Sequence, residues 1–97
     1  MLIKPLENLK SDELRELGTR LSGDNTALFL FGLSDKIYVF CKGSPESSKR
    51  GIDIGKLCRE VCTLLGGGGG GSNAMGEGVG RFKKKIADAE KFLEGKL

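Results

Sequence analysis

Six consecutive glycines, Gly66 to Gly71, constrain this 97-residue chain more than any other feature. Glycine has no Cβ, reaches backbone conformations closed to other residues, and loses the most conformational freedom on folding. A run of six therefore either stays loose or is ordered for a purpose that side chains would defeat. Three readings compete for residues 66–80, GGGGGGSNAMGEGVG. The first is a flexible linker, since Gly-Ser tracts behave as random coil. Ser72-Asn73-Ala74 before Met75 also fits the remnant of an engineered join. The second is a nucleotide fingerprint, which the context opposes. A P-loop ends in Gly-Lys-Ser/Thr where this chain has Gly71-Ser72-Asn73, and a dinucleotide loop follows a strand where this stretch follows a helix. The third is a cradle in which main-chain N–H groups approach phosphate with no side chain in the way.

Around the glycines the periodicities are readable. Met1 to Leu6 reads as a short strand, with Pro5 at its end or at a sheet edge. Ser11 suits a helix N-cap, and Asp12 and Glu13 suit the positive end of the dipole. Leu14, Leu17 and Leu21 recur on one helical face, which predicts a helix from Asp12 to Ser22 with Gly23 as its stop. Thr26 to Phe31 is apolar on both faces, as in a central strand. Turn residues Gly32 to Asp35 join it to a second strand, Lys36 to Lys42, in a hairpin. Gly43 to Gly51 reads as a polar loop that ends in Lys49 and Arg50.

Ile54, Leu57, Cys58, Val61, Cys62 and Leu65 form the cleanest amphipathic helix in the chain. A last helix runs from about Arg81 to Glu94, with Phe82, Ile86, Ala89 and Leu93 on its core face. The fold class is α/β (α+β): a small mixed β-sheet covered by helices. Its order is strand, helix, strand, strand, helix, glycine loop, helix, in one domain over residues 1–97.

Composition removes several functions. The chain has no histidine, so it supplies no imidazole base, His-based triad or His-ligated metal. Cys41, Cys58 and Cys62 have no CxxC spacing and read as small core hydrophobes in a reducing compartment. The longest apolar run, Ala27 to Phe31, is far short of the roughly 18 residues that span a bilayer, so no membrane association and a cytoplasmic setting are expected. No carboxylates form a paired motif on one loop, and no catalytic residue is assigned.

Charge points toward nucleic acid. Residues 1–40 carry five basic and six acidic side chains, while residues 41–97 carry eleven basic and seven acidic. Arg81, Lys83, Lys84 and Lys85 sit where the last helix begins, and cations there oppose the helix dipole by roughly 0.3–1 kcal/mol each. Together with a helix N-terminus and free amides they would make an anion site. The competing reading is a solvated lysine-rich face. The candidate contacts are Gly66, Gly67, Gly68, Gly69, Gly70, Gly71, Ser72 and Asn73, then Arg81, Lys83, Lys84 and Lys85, and the pair Lys49 and Arg50. Tyr38 and the five phenylalanines fall mostly at core positions, so base stacking is not indicated.

The stretch Gly66 to Gly80 resembles the signature of the C-terminal domain of alanyl-tRNA synthetase, roughly GGxGGGRPDxAQxGG, a domain of the group appended to DHH-family phosphoesterases. Ser11 to Leu21, the Phe29–Cys41 hairpin and the Gly55-Lys56-Leu57 helix start fall in the family's order. Ser72 stands where the family has a basic residue, and Gly76-Glu77 stands for its Ala-Gln. The phosphoesterase branch usually carries a histidine after the glycines, which this chain lacks. The resemblance implies a non-catalytic tRNA-binding module that assists aminoacylation and editing in a longer alanine–tRNA ligase, with Met1 at a cut. Binding is expected mostly to RNA backbone and shape. The resemblance places no cofactor or metal in this domain and leaves ATP and zinc to the rest of the parent. It also implies a homodimer through adjacent helical segments. The alternatives are a substrate-gripping domain of a DHH-type phosphoesterase, or a protein-interaction, dimerisation or DNA-binding module of the same descent.

Overall fold

Ala27, Leu28, Phe29, Leu30 and Phe31, the run apolar on both faces, are all buried, and they lie in an interior strand. The computed structural model describes residues 2–21 and 27–96. The expected helix end at Ser22, its stop at Gly23 and the strand start at Thr26 lie outside the described residues, as does Met1. Five strands, β1 (Leu2–Glu7), β2 (Ala27–Leu33), β3 (Ile37–Gly43), β4 (Gly68–Gly71) and β5 (Met75–Gly80), form one sheet in the order β1-β2-β3-β5-β4. β1 pairs parallel with β2, and the other pairings are antiparallel. Pro5 lies on β1, an edge strand, where a missing N–H is tolerated.

Alternation along β2 splits the core into two layers. Leu28 and Leu30 pack with Phe40 and with Leu14 of α1 (Ser11–Leu21) on one face. Ala27, Phe29 and Phe31 pack on the other face under α3 (Ile54–Leu64) and α4 (Ile86–Lys96). Each fully buried Leu or Phe stabilises by roughly 1.5–3 kcal/mol. Gly18 lets α1 come down onto β3, since a Cβ there would meet the Phe40 ring at 2.2 Å.

The structure corrects two local expectations. Ser11 lies inside α1, and Lys10 is the capping position: its carbonyl accepts the first helical bond from Leu14 N–H at 2.9 Å, and its N–H donates to Glu13 at 3.2 Å. The polar loop 43–51 contains a short helix, α2 (Pro45–Lys49), with Pro45 in its first turn. Its Ser47 is buried and satisfied by donating to Ser44 O at 2.7 Å.

α3 carries its own start signal. The Asp53 carboxylate accepts from Lys56 N–H at 3.1 Å. Asp53→Ala is expected to cost about 1 kcal/mol, which lowers Tm by roughly 4–8 °C in a domain of this size. Thermal unfolding by circular dichroism checks this.

Candidate nucleic-acid interface

The glycine-rich stretch is ordered, and its residues have three different jobs. Gly66, at φ +80, ends α3 in a left-handed cap: its N–H donates to Thr63 O at 3.0 Å and that of Gly67 donates to Cys62 O at 2.8 Å. Gly68 to Gly71 form β4, an edge strand whose partner is β5. Ser72 and Asn73 turn the hairpin back over the start of α3, where their carbonyls accept from Gly55 N–H at 2.7 Å and Ile54 N–H at 3.1 Å. The hairpin packs along α3, the helix before it, rather than on the last helix. Of Gly66 to Gly71, only Gly66 has positive φ.

The close approach of α3 explains the extended glycines. A Cβ at Gly76 would lie 2.7 Å from Cys58 Cβ, one at Gly78 would lie 2.5 Å from Cys62 Sγ, and one at Gly80 would lie 2.5 Å from Leu65 Cβ. The strand's two-residue step thus matches the helix's one-turn step at 58, 62 and 65. This geometry limits the phosphate cradle. The N–H groups of Gly66, Gly67 and Ser72 are bonded internally, Ser72 to Met75 O at 2.8 Å. What the stretch offers a ligand is the outer edge of β4, where unpaired main-chain groups of an edge strand face outward.

Arg81, Lys83, Lys84 and Lys85 are brought together on one exposed turn that leaves β5. The turn is rigidly stapled, because the N–H groups of Arg81 and Phe82 both donate to Leu65 O, at 2.8 and 2.9 Å. Lys83 to Lys85 form one turn of 3₁₀ helix, and α4 starts only at Ile86. Lys83 donates to Ser34 O, and Lys85 sits 4.0 Å from Asp88. Among the described residues Arg81 and Lys84 have no ion-pair partner.

Lys49 and Arg50 lie elsewhere, at the end of α2, and Arg50 lines a separate hollow with Lys56 and Lys96. Both are exposed, with Glu46 3.9 Å from Arg50. The hollow that Arg50 lines is therefore distinct from the one lined by Arg81, Lys83, Lys84 and Lys85.

Two features escaped the sequence reading. Phe82, expected on the core face of the last helix, is 53% exposed and stands among the cations of the basic turn. Arg59, on the polar side of α3, places its guanidinium 3.8 Å from where a Gly70 Cβ would be, so it adds a cation beside the glycine strand. The one acid of residues 66–80, Glu77, is held by Arg15 of α1 at 2.7 Å.

The three thiols are buried together between α3 and the sheet, as core positions. Burial and the Cys58 thiol push Cys41 well above the usual thiol range, and the hydrogen bond with Cys58, then burial, push Cys62 the same way. The hydrogen bonds these two give Cys58 favour its thiolate, while its own burial opposes it.

A family model described as the DHHA1 domain matches residues 1–97. The alanine–tRNA ligase of Dehalococcoides mccartyi is 27% identical over 100 residues, covering 100% of this chain and 12% of that protein. The alanine–tRNA ligase of Nostoc punctiforme is 31% identical over 93 residues, covering 92% of this chain and 11% of that protein. The chain therefore spans little more than a tenth of the length of these curated relatives. The crystal structure of the C-Ala domain from Aquifex aeolicus alanyl-tRNA synthetase matches with a TM-score of 0.86 at 30% identity, covering 97% of this chain and 87% of that one. In fold and in sequence, the chain belongs to the DHHA1 domain family, in the form of the C-Ala domain of alanyl-tRNA synthetase.

Proposed function

We propose that this domain is a non-catalytic tRNA-binding appendage of an alanine–tRNA ligase, and that it helps aminoacylation and editing act on one tRNA. The observation that carries this reading is the stapled turn of Arg81, Lys83, Lys84 and Lys85, four exposed cations on five successive residues. Cations at that place work against the dipole of α4, so their cost in stability is offset by a gain elsewhere. The edge of β4, free of side chains, and Arg59 beside it extend the positive, backbone-accessible surface. Lys49 and Arg50 supply a second anchoring point. ATP, zinc and the ligase chemistry belong to the rest of such a parent in the cytoplasm.

Binding should be salt-sensitive and micromolar or weaker at physiological salt, because only a few phosphates can be neutralised. Three or four neutralised phosphates correspond to a loss of about 40- to 150-fold in affinity between 50 and 200 mM salt. Titration of a fluorescent tRNA transcript at the two salt concentrations measures it. Affinity that ignores salt, or no binding at the lower concentration, removes the proposal.

A further inference from the structure

Three of the five phenylalanines, Phe29, Phe31 and Phe40, are at most 1% exposed, whereas Phe82 is 53% exposed. A half-bare aromatic ring is unremarkable alone, but this one has a prepared seat. It rests against Gly66, the left-handed helix cap, where a Cβ would meet the ring at 2.4 to 2.8 Å. Its backbone is fixed on both sides: Phe82 N–H donates to Leu65 O at 2.9 Å, and Phe82 O accepts from Lys85 N–H at 2.8 Å. The fixed backbone and the glycine seat together hold the ring at the surface.

The surroundings of the ring specify a partner. Arg81, Phe82, Lys83, Lys84 and Lys85 line an open, mostly apolar hollow of about 440 Å³, within the range of about 300–1,000 Å³ that small-ligand sites occupy. Among the described residues no acidic side chain lines it. A flat apolar floor ringed by cations complements a flat π-system attached to an anion. Apolar peptide would leave the cations unpaired, and a bare phosphate would leave the ring unused. A nucleotide satisfies both, with its base on the ring and its phosphates on the lysines. Bases inside an A-form stem have no face to offer, so the fit is to an unpaired nucleotide.

We propose that Phe82 is a stacking platform for an unpaired nucleobase of RNA, with Arg81 and Lys83 to Lys85 holding the flanking phosphates. This rests on the RNA-binding reading above and adds to it a base contact that charge alone does not provide.

Salt dependence and stacking separate cleanly. Phosphate contacts set the slope of affinity against salt, whereas a stacked base sets affinity at every salt concentration. The chain has no tryptophan, so Phe82→Trp creates a single fluorescent reporter at the site. Phe82→Leu keeps apolar bulk over Gly66 but removes the π-face, and Phe82→Ala removes both. Each is titrated with the tRNA transcript, with a short oligoadenylate and with a blunt RNA duplex, after circular dichroism has confirmed the fold. The expected result is a loss of about 5- to 150-fold for Phe82→Leu with an unchanged salt slope. Phe82→Trp should bind at least as tightly as the natural protein, with its fluorescence quenched by oligoadenylate, and the blunt duplex should bind more weakly than either the tRNA transcript or the oligoadenylate, both of which offer unpaired bases. Wild-type affinity in Phe82→Leu, or unquenched Phe82→Trp fluorescence while RNA binds, overturns the stacking platform and leaves the backbone reading standing. Failure of the natural protein to bind any of the three RNAs at low salt overturns the RNA-binding reading itself, and the platform with it.

Discussion

Changing Lys83, Lys84 and Lys85 together to glutamate is expected to abolish tRNA binding and to leave the fold unchanged. All three side chains are exposed, and they share the hollow with Arg81. Reversal removes up to three phosphate contacts and adds three repulsions, so affinity at moderate salt should fall by more than about 100-fold. The stability changes nearly cancel. Lys83 loses its bond to Ser34 O, and Lys85 loses an exposed pairing with Asp88 worth at most about 1 kcal/mol. A glutamate at 85 also stands one turn from Asp88 as a like charge, which costs a few tenths of a kcal/mol, roughly. Against this, acids at the start of α4 suit its dipole by roughly 0.3–1 kcal/mol each. Far-UV circular dichroism and Tm should therefore stay within a few degrees of the natural protein. Retained binding would take the basic turn out of the interface. Unfolding would assign the lysine stems to packing instead.

Most of this fold could be read from patterns that side chains make. The α3 periodicity at 54, 57, 58, 61, 62 and 65 needs only the alternation of apolar and charged residues, and all six positions are buried. The two-faced apolar run of β2 is an interior strand for the same reason. β4 and β5 were illegible as a sheet because glycine has almost no strand propensity and no face to alternate. The usable signal was the glycines themselves. Gly76, Gly78 and Gly80 step by two, which is the footprint of a strand lying under a helix, whereas a loop needs no such step. The spacing of Phe82 to Ile86, Ala89 and Leu93 is helical, but Phe82 itself lies outside the helix, with φ −91 and ψ 86, and residues 83–85 wind as a 3₁₀ turn, so the ring does not share their face. Of the candidate site, the cations at 81–85 were legible as charge. Their separation from Lys49 and Arg50, and the aromatic ring among them, depend on packing that charge does not encode.

Gly78→Ala is expected to be among the most damaging single substitutions in the chain, and Gly68→Ala, ten residues earlier in the same hairpin, to be harmless. A methyl at 78 would sit 2.5 Å from Cys62 Sγ, 2.7 Å from Gly68 O and 2.8 Å from Gly69 Cα. Two of those three neighbours are backbone of the paired strand, so the methyl cannot be accommodated by a side-chain rotation. Either α3 lifts from the sheet or β4 separates from β5. Overpacking of this kind costs typically 1–3 kcal/mol, and the rigid backbone neighbours put it at the upper end. A cost of about 3 kcal/mol corresponds to a fall in Tm of roughly 12–24 °C. At Gly68 nothing among the described residues lies within 4 Å of the added methyl, and φ is not positive. Alanine there restricts the unfolded chain and should stabilise by about 0.4–1 kcal/mol, or leave Tm flat. A third variant apportions the clash. Gly78→Ala combined with Cys62→Ala removes the sulfur but not the Gly68 carbonyl, so it should recover only part of the loss, with non-additivity that marks direct contact. Equal Tm values for Gly78→Ala and Gly68→Ala would mean that α3 does not lie tightly on the hairpin, and that the glycines serve the ligand rather than the fold. If instead Gly78→Ala unfolds early while Gly68→Ala keeps both Tm and RNA affinity, the inward glycines exist for helix packing, and only the outer edge of β4 is left for contact with phosphate.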